Sequence, residues 1–307
     1  MRIKLFSDAC IDGTSCGILG RLAFGDDIDI KYTSPNKINN DIKKYIDNKD
    51  YENYEITFIT DLSVNEENAK LINDNDIKVT LIDHHKTALW LNQYDWCAVK
   101  VEDKKGLTCG ASLFYNFLLN MGKIQNKFNL CIFIENVRKY DTWEWAKDNY
   151  TISKLWNDLL YLVGREDFVK TTIQKIQSDS IISFTLEEEA MLHYNQKKID
   201  KYIEIKAKNI ISMKLFSYNA GIVFADQYTS ELGDELGKIF TEFDFIAMIN
   251  MDTKKVSYRT NKENIDLSEI AKKLDGGGHK KAAGSPIENK ILDELLINIF
   301  KSEVGYA

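Results

Sequence analysis

The sequence predicts an α/β protein with a Rossmann-like N-terminal domain, a helical connector and a smaller C-terminal α/β domain. Two observations predict this fold. Apolar strand-like runs alternate with helical patterns in the first part of the chain, which favours a parallel sheet. After a long polar helical segment, short strand-like runs of a different texture predict a second, mixed sheet. We expect the domains to cover residues 1–180 and 210–307, with the connector at 181–209.

Four strand-like runs in the N-terminal part predict the parallel sheet. They cover residues 2–7, 27–33, 54–60 and 77–83. Helical patterns lie between them at Ser15–Phe24, Asn39–Ile46 and 63–74. Ser63 and Glu66 have the spacing of a capping box, which predicts that the third of these helices begins at Ser63. Further helical patterns cover 109–121, 126–139, 150–162 and 165–177.

A long polar helical pattern covers residues 185–209. Thr185 and Glu188 have capping-box spacing at its start. Its apolar stripe is weak, and a helix with little apolar surface suits a connector better than a core position. Beyond it, four short strand-like runs and the helical patterns "DLSEIAKKL" and "ILDELLINIFKS" predict the C-terminal domain.

Composition and charge limit the classes of function. Hydrophobic residues are 44% and charged residues 28% of the 307 residues, as in ordinary globular proteins. No apolar run approaches the roughly 20 residues of a membrane span, and the N-terminal residues lack a secretory pattern. We therefore expect a cytoplasmic protein without membrane contact. The net charge of -7 disfavours a broad grip on long duplex nucleic acid, but it allows one small anionic ligand.

Acidic, thiol and imidazole side chains follow three of the four N-terminal strands. The first strand is followed by Asp8, Cys10 and Asp12. The third strand is followed by Asp61, and the fourth by Asp83, His84 and His85. The alternation of the first three would place them on one side of an extended segment. Ligands of parallel α/β sheets bind at the carboxyl ends of the strands. A lone aspartate there is ordinarily a loop or cap residue, but three such strand ends favour a hard or borderline metal ion.

Five motifs in the same order resemble the DHH phosphoesterase superfamily. "DHH" at 83–85 resembles its signature, "SDACIDG" its first motif, "TDLS" its second and "RKYDTWEW" its fourth. "LDGGGHKKAAG" at 274–284 resembles the GGGH motif of the associated DHHA1 substrate-binding domain. The resemblance implies a DHH domain followed by a DHHA1-type domain. It is greatest to the nanoRNase and cyclic-nucleotide phosphodiesterase members.

The resemblance implies two divalent metal ions, most commonly manganese, bridged by a shared carboxylate. Asp61 matches the bridging position. Asp12, His84 and Asp141 match the other ligands of one ion. His85 is implied either to orient the carboxylates or to contact substrate, with a purely hydrogen-bonding role as the alternative. The implied catalytic residues are therefore Asp12, Asp61, His84, His85 and Asp141.

The second metal position departs from the family pattern. Asp8 stands where the family has histidine, and Cys10 stands where it has aspartate. Two interpretations remain open. Asp8 and Cys10 could still bind the second ion, with a preference moved towards zinc or iron by the thiolate. Otherwise that position is weak or empty, and the protein binds nucleotides with little or no cleavage.

The C-terminal motif implies binding of substrate phosphate. The resemblance assigns this role to Arg259, Gly276, Gly277, Gly278 and His279. Backbone amides of a glycine-rich turn followed by a helix N-terminus attract anions, and arginine can hold phosphate through two donors. A triple-glycine segment is by itself usually only a flexible turn.

The implied activity is hydrolysis of short oligonucleotides or cyclic nucleotides to nucleoside monophosphates. A pyrophosphatase is disfavoured, because the family's pyrophosphatases lack the GGGH motif. A nucleotide-sequestering protein remains the alternative. Trp143 and Trp145 beside Asp141 could stack on a base, or they could pack in the core. The sequence leaves the oligomeric state open, with a homodimer as one candidate.

Overall fold

Two units with separate cores make up the chain. The computed structural model describes residues 2–147 and 151–300. Contacts between residues divide it into Met1–Leu192 and His193–Ala307, so the division falls inside one long helix. Both units combine helices with a sheet, which confirms the predicted α/β fold with a parallel first sheet and a mixed second one.

The first unit begins with a β/α alternation and continues mainly with helices. Its strands are β1 (Ile3–Asp8), β2 (Ile28–Thr33), β3 (Ile56–Thr60), β4 (Val79–Asp83), β5 (Cys97–Val99), β6 (Glu102–Asp103) and β7 (Gly106–Leu107). Its helices are α1 (Ile11–Phe24), α2 (Ile38–Asp47), α3 (Glu66–Asp74), α4 (Gly110–Asn120), α5 (Phe128–Asp141), α6 (Glu144–Lys147), α7 (Ile152–Val163) and α8 (Arg165–Gln177). The next helix, α9 (Leu186–Ala207), contains the boundary between the two units. Residue 150, where a helix was predicted to start, lies outside the described residues.

Five parallel strands in the order β2-β1-β3-β4-β5 form the main sheet of the first unit. The chain turns from one side of β1 to the other, so the carboxyl ends of β1 and β3 flank a topological switch point. Alternate side chains enter cores on opposite faces. Leu5 and Phe58 pack with α1, α4 and α5, while Phe6 and Ile59 pack with α2 and α3. Burial of both faces explains the nearly continuous apolar runs of these strands.

The start of α1 differs from the prediction. The helix begins at Ile11 rather than Ser15, and the Cys10 sulfur caps it by accepting the amide of Gly13 at 3.3 Å. Asp12 therefore lies in the first helical turn, and the expected extended alternation of Asp8, Cys10 and Asp12 is wrong. The alternation has the period of a strand, but the cap ends the strand conformation before Asp12 is reached.

Two further local differences concern a cap and a strand. Asn65, not Ser63, caps α3 by accepting the amide of Asn68 at 3.0 Å. The Ser63 hydroxyl instead donates to Asp83. Strand β5, with only three residues, was not predicted. In contrast, the cap of α9 is confirmed, since Thr185 and Glu188 exchange hydrogen bonds of 2.7 and 3.3 Å.

The second unit contains a six-stranded mixed sheet. Its elements are β8 (Ile211–Leu215), β9 (Tyr218–Phe224), α10 (Thr229–Ile239), β10 (Phe245–Asn250), β11 (Lys255–Arg259), α11 (Leu267–Lys272), β12 (Gly277–Gly278), β13 (Ala282–Pro286) and α12 (Asn289–Phe300). The order is β12-β13-β11-β10-β9-β8, with only β9 and β10 parallel. Helix α10 and strand β13 were not predicted. Residues 301–302 of the predicted last helix lie outside the described residues.

Membrane insertion of a helix finds no support within 2–147 and 151–300. None of the helices described there has both the length and the hydropathy that spanning a bilayer requires.

Candidate metal centre

The predicted ligands of the first unit converge at the carboxyl edge of its main sheet. Asp8 ends β1, Asp12 lies in the first turn of α1, Asp61 follows β3, and His84 follows β4. Asp141 comes from elsewhere in the fold, as the last residue of α5. Asp61 has a left-handed backbone with φ 55°. Aspartate tolerates this conformation better than most residues, so the turn can direct its carboxylate into the cluster.

His84 lies among three carboxylates. Its Nε2 is 3.3 Å from Asp61 Oδ1, 3.5 Å from Asp141 Oδ2 and 3.8 Å from Asp12 Oδ2. This nitrogen is buried and has no hydrogen-bond partner within the part of the chain that the structure describes. A buried polar atom without a partner is costly, and a cation bound by the imidazole and carboxylates would satisfy it. The donor set of one nitrogen and three oxygens fits a divalent ion such as Mn²⁺.

The first turn of α4 holds the Asp12 carboxylate. The amide of Gly110 donates to Oδ2 at 2.6 Å, and the amide of Ala111 donates to Oδ1 at 2.7 Å. Both amides belong to the positive end of the helix, which favours an anion. Gly110 also allows close approach, since a Cβ there would lie 2.7 Å from Asp61 Cβ and 2.9 Å from Asp12 Oδ2. Sequence analysis did not identify these contacts.

Charge repulsion strains the cluster in the absence of a cation. Burial, followed by the charges of Asp12 and Asp141, raises the pKa of Asp61 well above its ordinary value. Burial and the charge of Asp12 raise the pKa of Asp141 to about 7, against the opposing effect of His84. The side chain of Asp141 is 25% exposed whereas Asp12 and Asp61 are buried, so the cluster meets solvent beside Asp141.

Asp83 fixes the chain that carries both histidines. Its Oδ1 accepts the His84 amide and contacts Nδ1 of His85, each at 2.7 Å, and its Oδ2 accepts the Ser63 hydroxyl. Burial acts to raise the pKa of Asp83, but the hydrogen bonds from His85 and Ser63 outweigh it and lower that pKa. Carboxylates of this kind orient the imidazoles of metal sites. His85 packs beside His84, with ring centroids 4.3 Å apart.

Asp8, Cys10 and Asp61 form a second donor group. One ligand atom from each lies within 4.8 Å of the others. The thiol of Cys10 donates to Asp61 Oδ2 at 3.1 Å, while Oδ1 of the same carboxylate faces His84. Asp61 thus offers one oxygen to each donor group, as a bridging ligand would. Burial and the charge of Asp61 raise the pKa of Cys10 well above its ordinary value, so the thiol keeps its proton unless a cation is bound.

Two arginines support this site, and sequence analysis identified neither. Arg165 donates to the carbonyl of Ala9 at 3.1 Å and lies over the ring of Tyr32, 4.5 Å from its centroid. Arg138 donates to the carbonyl of Leu107 at 2.9 Å and forms paired hydrogen bonds with Glu135 and with Glu144. Arg138 therefore links the chain before α4 to the end of α5. In this way it connects the helix start that holds Asp12 with the helix end that carries Asp141.

The glycine segment of the second unit is a strand edge rather than a free loop. Gly277 and Gly278 pair with Gly284 and Ala283 of β13. A Cβ on Gly276 would lie 2.1 Å from the carbonyl oxygen of Gly284. Close strand approach therefore explains Gly276 and Gly278, whereas a Cβ on Gly277 would meet no atom of the described residues within 4 Å. The expected helix N-terminus after the turn is wrong, since β13 follows it.

Arg259 and His279 lie at the same end of the second sheet. Arg259 pairs in register with Ala282, and the amides of His279 and Ala282 exchange hydrogen bonds with each other's carbonyls. The Arg259 guanidinium donates to Ser230 Oγ at 3.3 Å and to the carbonyl of Tyr258 at 2.9 Å. The register thus places both predicted phosphate contacts at one end of the sheet, with His279 exposed.

Comparison with known proteins finds relatives along nearly the whole chain. A family model described as the DHHA1 domain matches residues 224–304. Oligoribonuclease NrnB of Bacillus subtilis (strain 168) is 39% identical over 302 residues, which cover 97% of this chain and 76% of NrnB. RecJ from Thermus thermophilus, solved with Mn²⁺, matches with a TM-score of 0.60 and 14% identity over 98% of this chain and 51% of RecJ. The pGpG-specific phosphodiesterase PggH from Vibrio cholerae matches with a TM-score of 0.55 and 13% identity over 98% of both chains.

The two structural likenesses show a shared fold, and the identity to NrnB over most of both chains shows common family membership. These findings confirm the resemblance inferred from the motifs. The chain therefore belongs to the DHH/DHHA1 phosphoesterase superfamily, as a hydrolase close to the nanoRNase-like members.

Proposed function

We propose that this hydrolase is a metal-dependent phosphodiesterase that cleaves short oligonucleotides to nucleoside monophosphates in the cytoplasm. The observation that carries the proposal is the buried Nε2 of His84, which has no hydrogen-bond partner among residues 2–147 and 151–300. It faces three carboxylates, one of which also contacts Cys10. The oligoribonuclease relative supports short RNA over cyclic nucleotides as substrate. A long nucleic acid needs an extended basic groove, for which a net charge of -7 offers little support.

Asp12, Asp61, His84 and Asp141 would hold one divalent ion, for which we propose Mn²⁺. Asp8, Cys10 and Asp61 would hold the second. Such ions supply Lewis acidity towards the phosphodiester and lower the pKa of water that attacks phosphorus. The protein itself contributes by holding the ligand side chains in position before an ion binds. The amides at the start of α4 hold Asp12 in place, and Asp83 sets the orientation of the histidine pair.

His85 is the candidate for direct contact with the scissile phosphate. Its Nδ1 is engaged by Asp83, so we propose that the opposite ring nitrogen, Nε2, donates to a phosphoryl oxygen. The hydrogen bond to Asp83 raises the pKa of His85, although burial opposes the change. The side chain is 44% exposed and accessible to substrate. In the second unit we propose a phosphate-binding role for Arg259, His279 and the segment of Gly276, Gly277 and Gly278.

Product analysis tests the proposal. The protein is incubated with Mn²⁺, Zn²⁺ or Mg²⁺ and with labelled oligonucleotides of two to ten residues and cyclic nucleotides. We expect mononucleotides from the shortest oligonucleotides. Asp61→Asn should lower turnover more than about 100-fold, because even groups outside the ligand set often contribute 10- to 100-fold.

Asp76→Asn is the matched control. Asp76 is also a left-handed aspartate of the first unit, with φ 50°, but it lies exposed in the turn after α3. Asparagine suits both backbones, so only Asp61→Asn should lose activity. Nucleotide binding without cleavage under every metal would replace the proposal by a sequestering role. Equal turnover in Asp61→Asn and the parent would exclude the bridging assignment.

A further inference from the structure

A bulky residue in a left-handed backbone follows the metal cluster. Trp143 has φ 62° and lies just beyond Thr142, the C-cap of α5. Helices commonly end with glycine or asparagine in this conformation, because a Cβ is disfavoured there. A tryptophan at such a position is a backbone outlier, and outliers of this kind cluster at functional sites.

The surrounding contacts fix the turn and leave part of the indole exposed. The amide of Trp143 donates to the carbonyl of Tyr140 at 3.1 Å, and Arg138 anchors the next residue, Glu144, through two hydrogen bonds of 2.7 Å. The ring of Trp143 packs against Trp145 with centroids 5.2 Å apart, and Trp145 in turn stacks on Tyr140. Even so, Trp143 remains 40% exposed.

Trp143 is also close to the reacting centre. Two peptide units separate it from Asp141, so their Cα atoms are at most about 7.6 Å apart. The Asp141 carboxylate is the partly exposed one of the cluster. Trp143 therefore lies two residues from the carboxylate at which the cluster meets solvent.

We propose that the base of the nucleotide next to the scissile phosphate stacks on the indole of Trp143. This inference rests on the proposed function. Stacking on an aromatic ring is tolerant of base identity, because every base presents a π-face. An aromatic ring beside the metal ligands would thus bind a nucleotide whatever its base. Trp143 would be a substrate-binding residue rather than a donor or acceptor of protons.

The test compares 5′-phosphorylated diadenylate with two analogues that lack either the first or the second base. Stacking of one base contributes about 1–3 kcal/mol, which corresponds to about 5- to 150-fold. We expect wild-type protein to prefer diadenylate over one of the analogues by such a factor in kcat/KM. Trp143→Gly should lose that preference, mainly through KM, because its kcat/KM falls more for diadenylate than for the abasic analogue.

Glycine suits the left-handed backbone at 143, so this variant removes the ring without adding strain. Trp143→Phe should recover part of the preference. If Trp143→Gly does not fold, Trp143→Leu against Trp143→Phe makes the same comparison. Phe128→Ala is the control, since this 68% exposed aromatic begins the same helix, about 20 Å from Asp141.

The outcomes separate the two proposals. A folded Trp143→Gly or Trp143→Leu protein that keeps the full preference for diadenylate would overturn the stacking role alone. A wild-type protein that cleaves no dinucleotide would overturn the proposed function, and the stacking role with it.

Discussion

Replacing Gly110 by alanine tests how closely the start of α4 packs against the candidate metal ligands Asp12 and Asp61. The added Cβ would lie 2.7 Å from Asp61 Cβ, 3.1 Å from Asp61 Cα and 2.9 Å from Asp12 Oδ2. Non-bonded carbons prefer about 3.5 Å or more, so α4 or the ligands must move by about 0.8 Å. Overpacking of this kind costs about 1–3 kcal/mol of unfolding free energy. In a domain of this size that lowers Tm by about 2–4 °C for each kcal/mol.

The displacement should affect function more than stability. Misplacing catalytic groups by about 1 Å can cost about 100-fold in rate, and we expect a loss of that order in kcat/KM with weaker Mn²⁺ binding. Thermal unfolding without metal, calorimetric titration with Mn²⁺ and steady-state kinetics measure the three effects.

Gly20→Ala is the matched control. Gly20 is another buried helical glycine, and its Cβ would meet the movable end of Ile28 at 2.6 Å. Alanine also favours the helix by roughly 0.5–1 kcal/mol. We expect a stability change within about 1 kcal/mol and unchanged Mn²⁺ affinity. A Gly110→Ala protein that matched the parent in stability and Mn²⁺ affinity would refute the packing argument.

Two more predictions concern charge and metal preference. Because the pKa values of Asp61 and Asp141 are raised in the folded protein, their contribution to metal-free stability is present at low pH and falls as pH rises towards about 7. Ligands must lose these protons to bind metal, so the increase in Tm caused by Mn²⁺ should grow with pH over the same range. A pH-independent increase would contradict this. Separately, adding Co²⁺ should give a thiolate-to-metal absorption band in the wild-type protein and in the control variant Cys97→Ser. The Cys10→Asp variant should lack this band, and its all-oxygen site should favour Mn²⁺. Identical spectra in all three proteins would remove Cys10 from the ligands.

The convergence of the ligands could be predicted because parallel strands end at one edge. Apolar runs located β1, β3 and β4, and the acidic or imidazole residues after them had to meet. Asp141 was different. It ends a helix remote in sequence, and only the resemblance to known motifs placed it in the site. The capping box of α9 was also predictable, because both of its partners lie within one turn.

Features that depend on distant contacts could not be predicted. Strand β5 is three residues long and exists through its pairing with β4. The amide of Gly110 donates to the carboxylate of Asp12, which is 98 residues away in the sequence. No local sequence pattern predicts this contact. Gly276 and Gly278 were interpreted as a flexible anion-binding turn, whereas β13 approaches them too closely for any side chain. A glycine in the sequence does not show whether the position needs a flexible backbone or close packing by a neighbouring strand.

Anomalous diffraction from crystals soaked in Mn²⁺ tests the central claim most directly. The account predicts a manganese peak within coordination distance of Asp12, Asp61, His84 and Asp141, with Asp61 also contacting the position beside Asp8 and Cys10. A structure with full manganese occupancy elsewhere and none at Asp61 would contradict it.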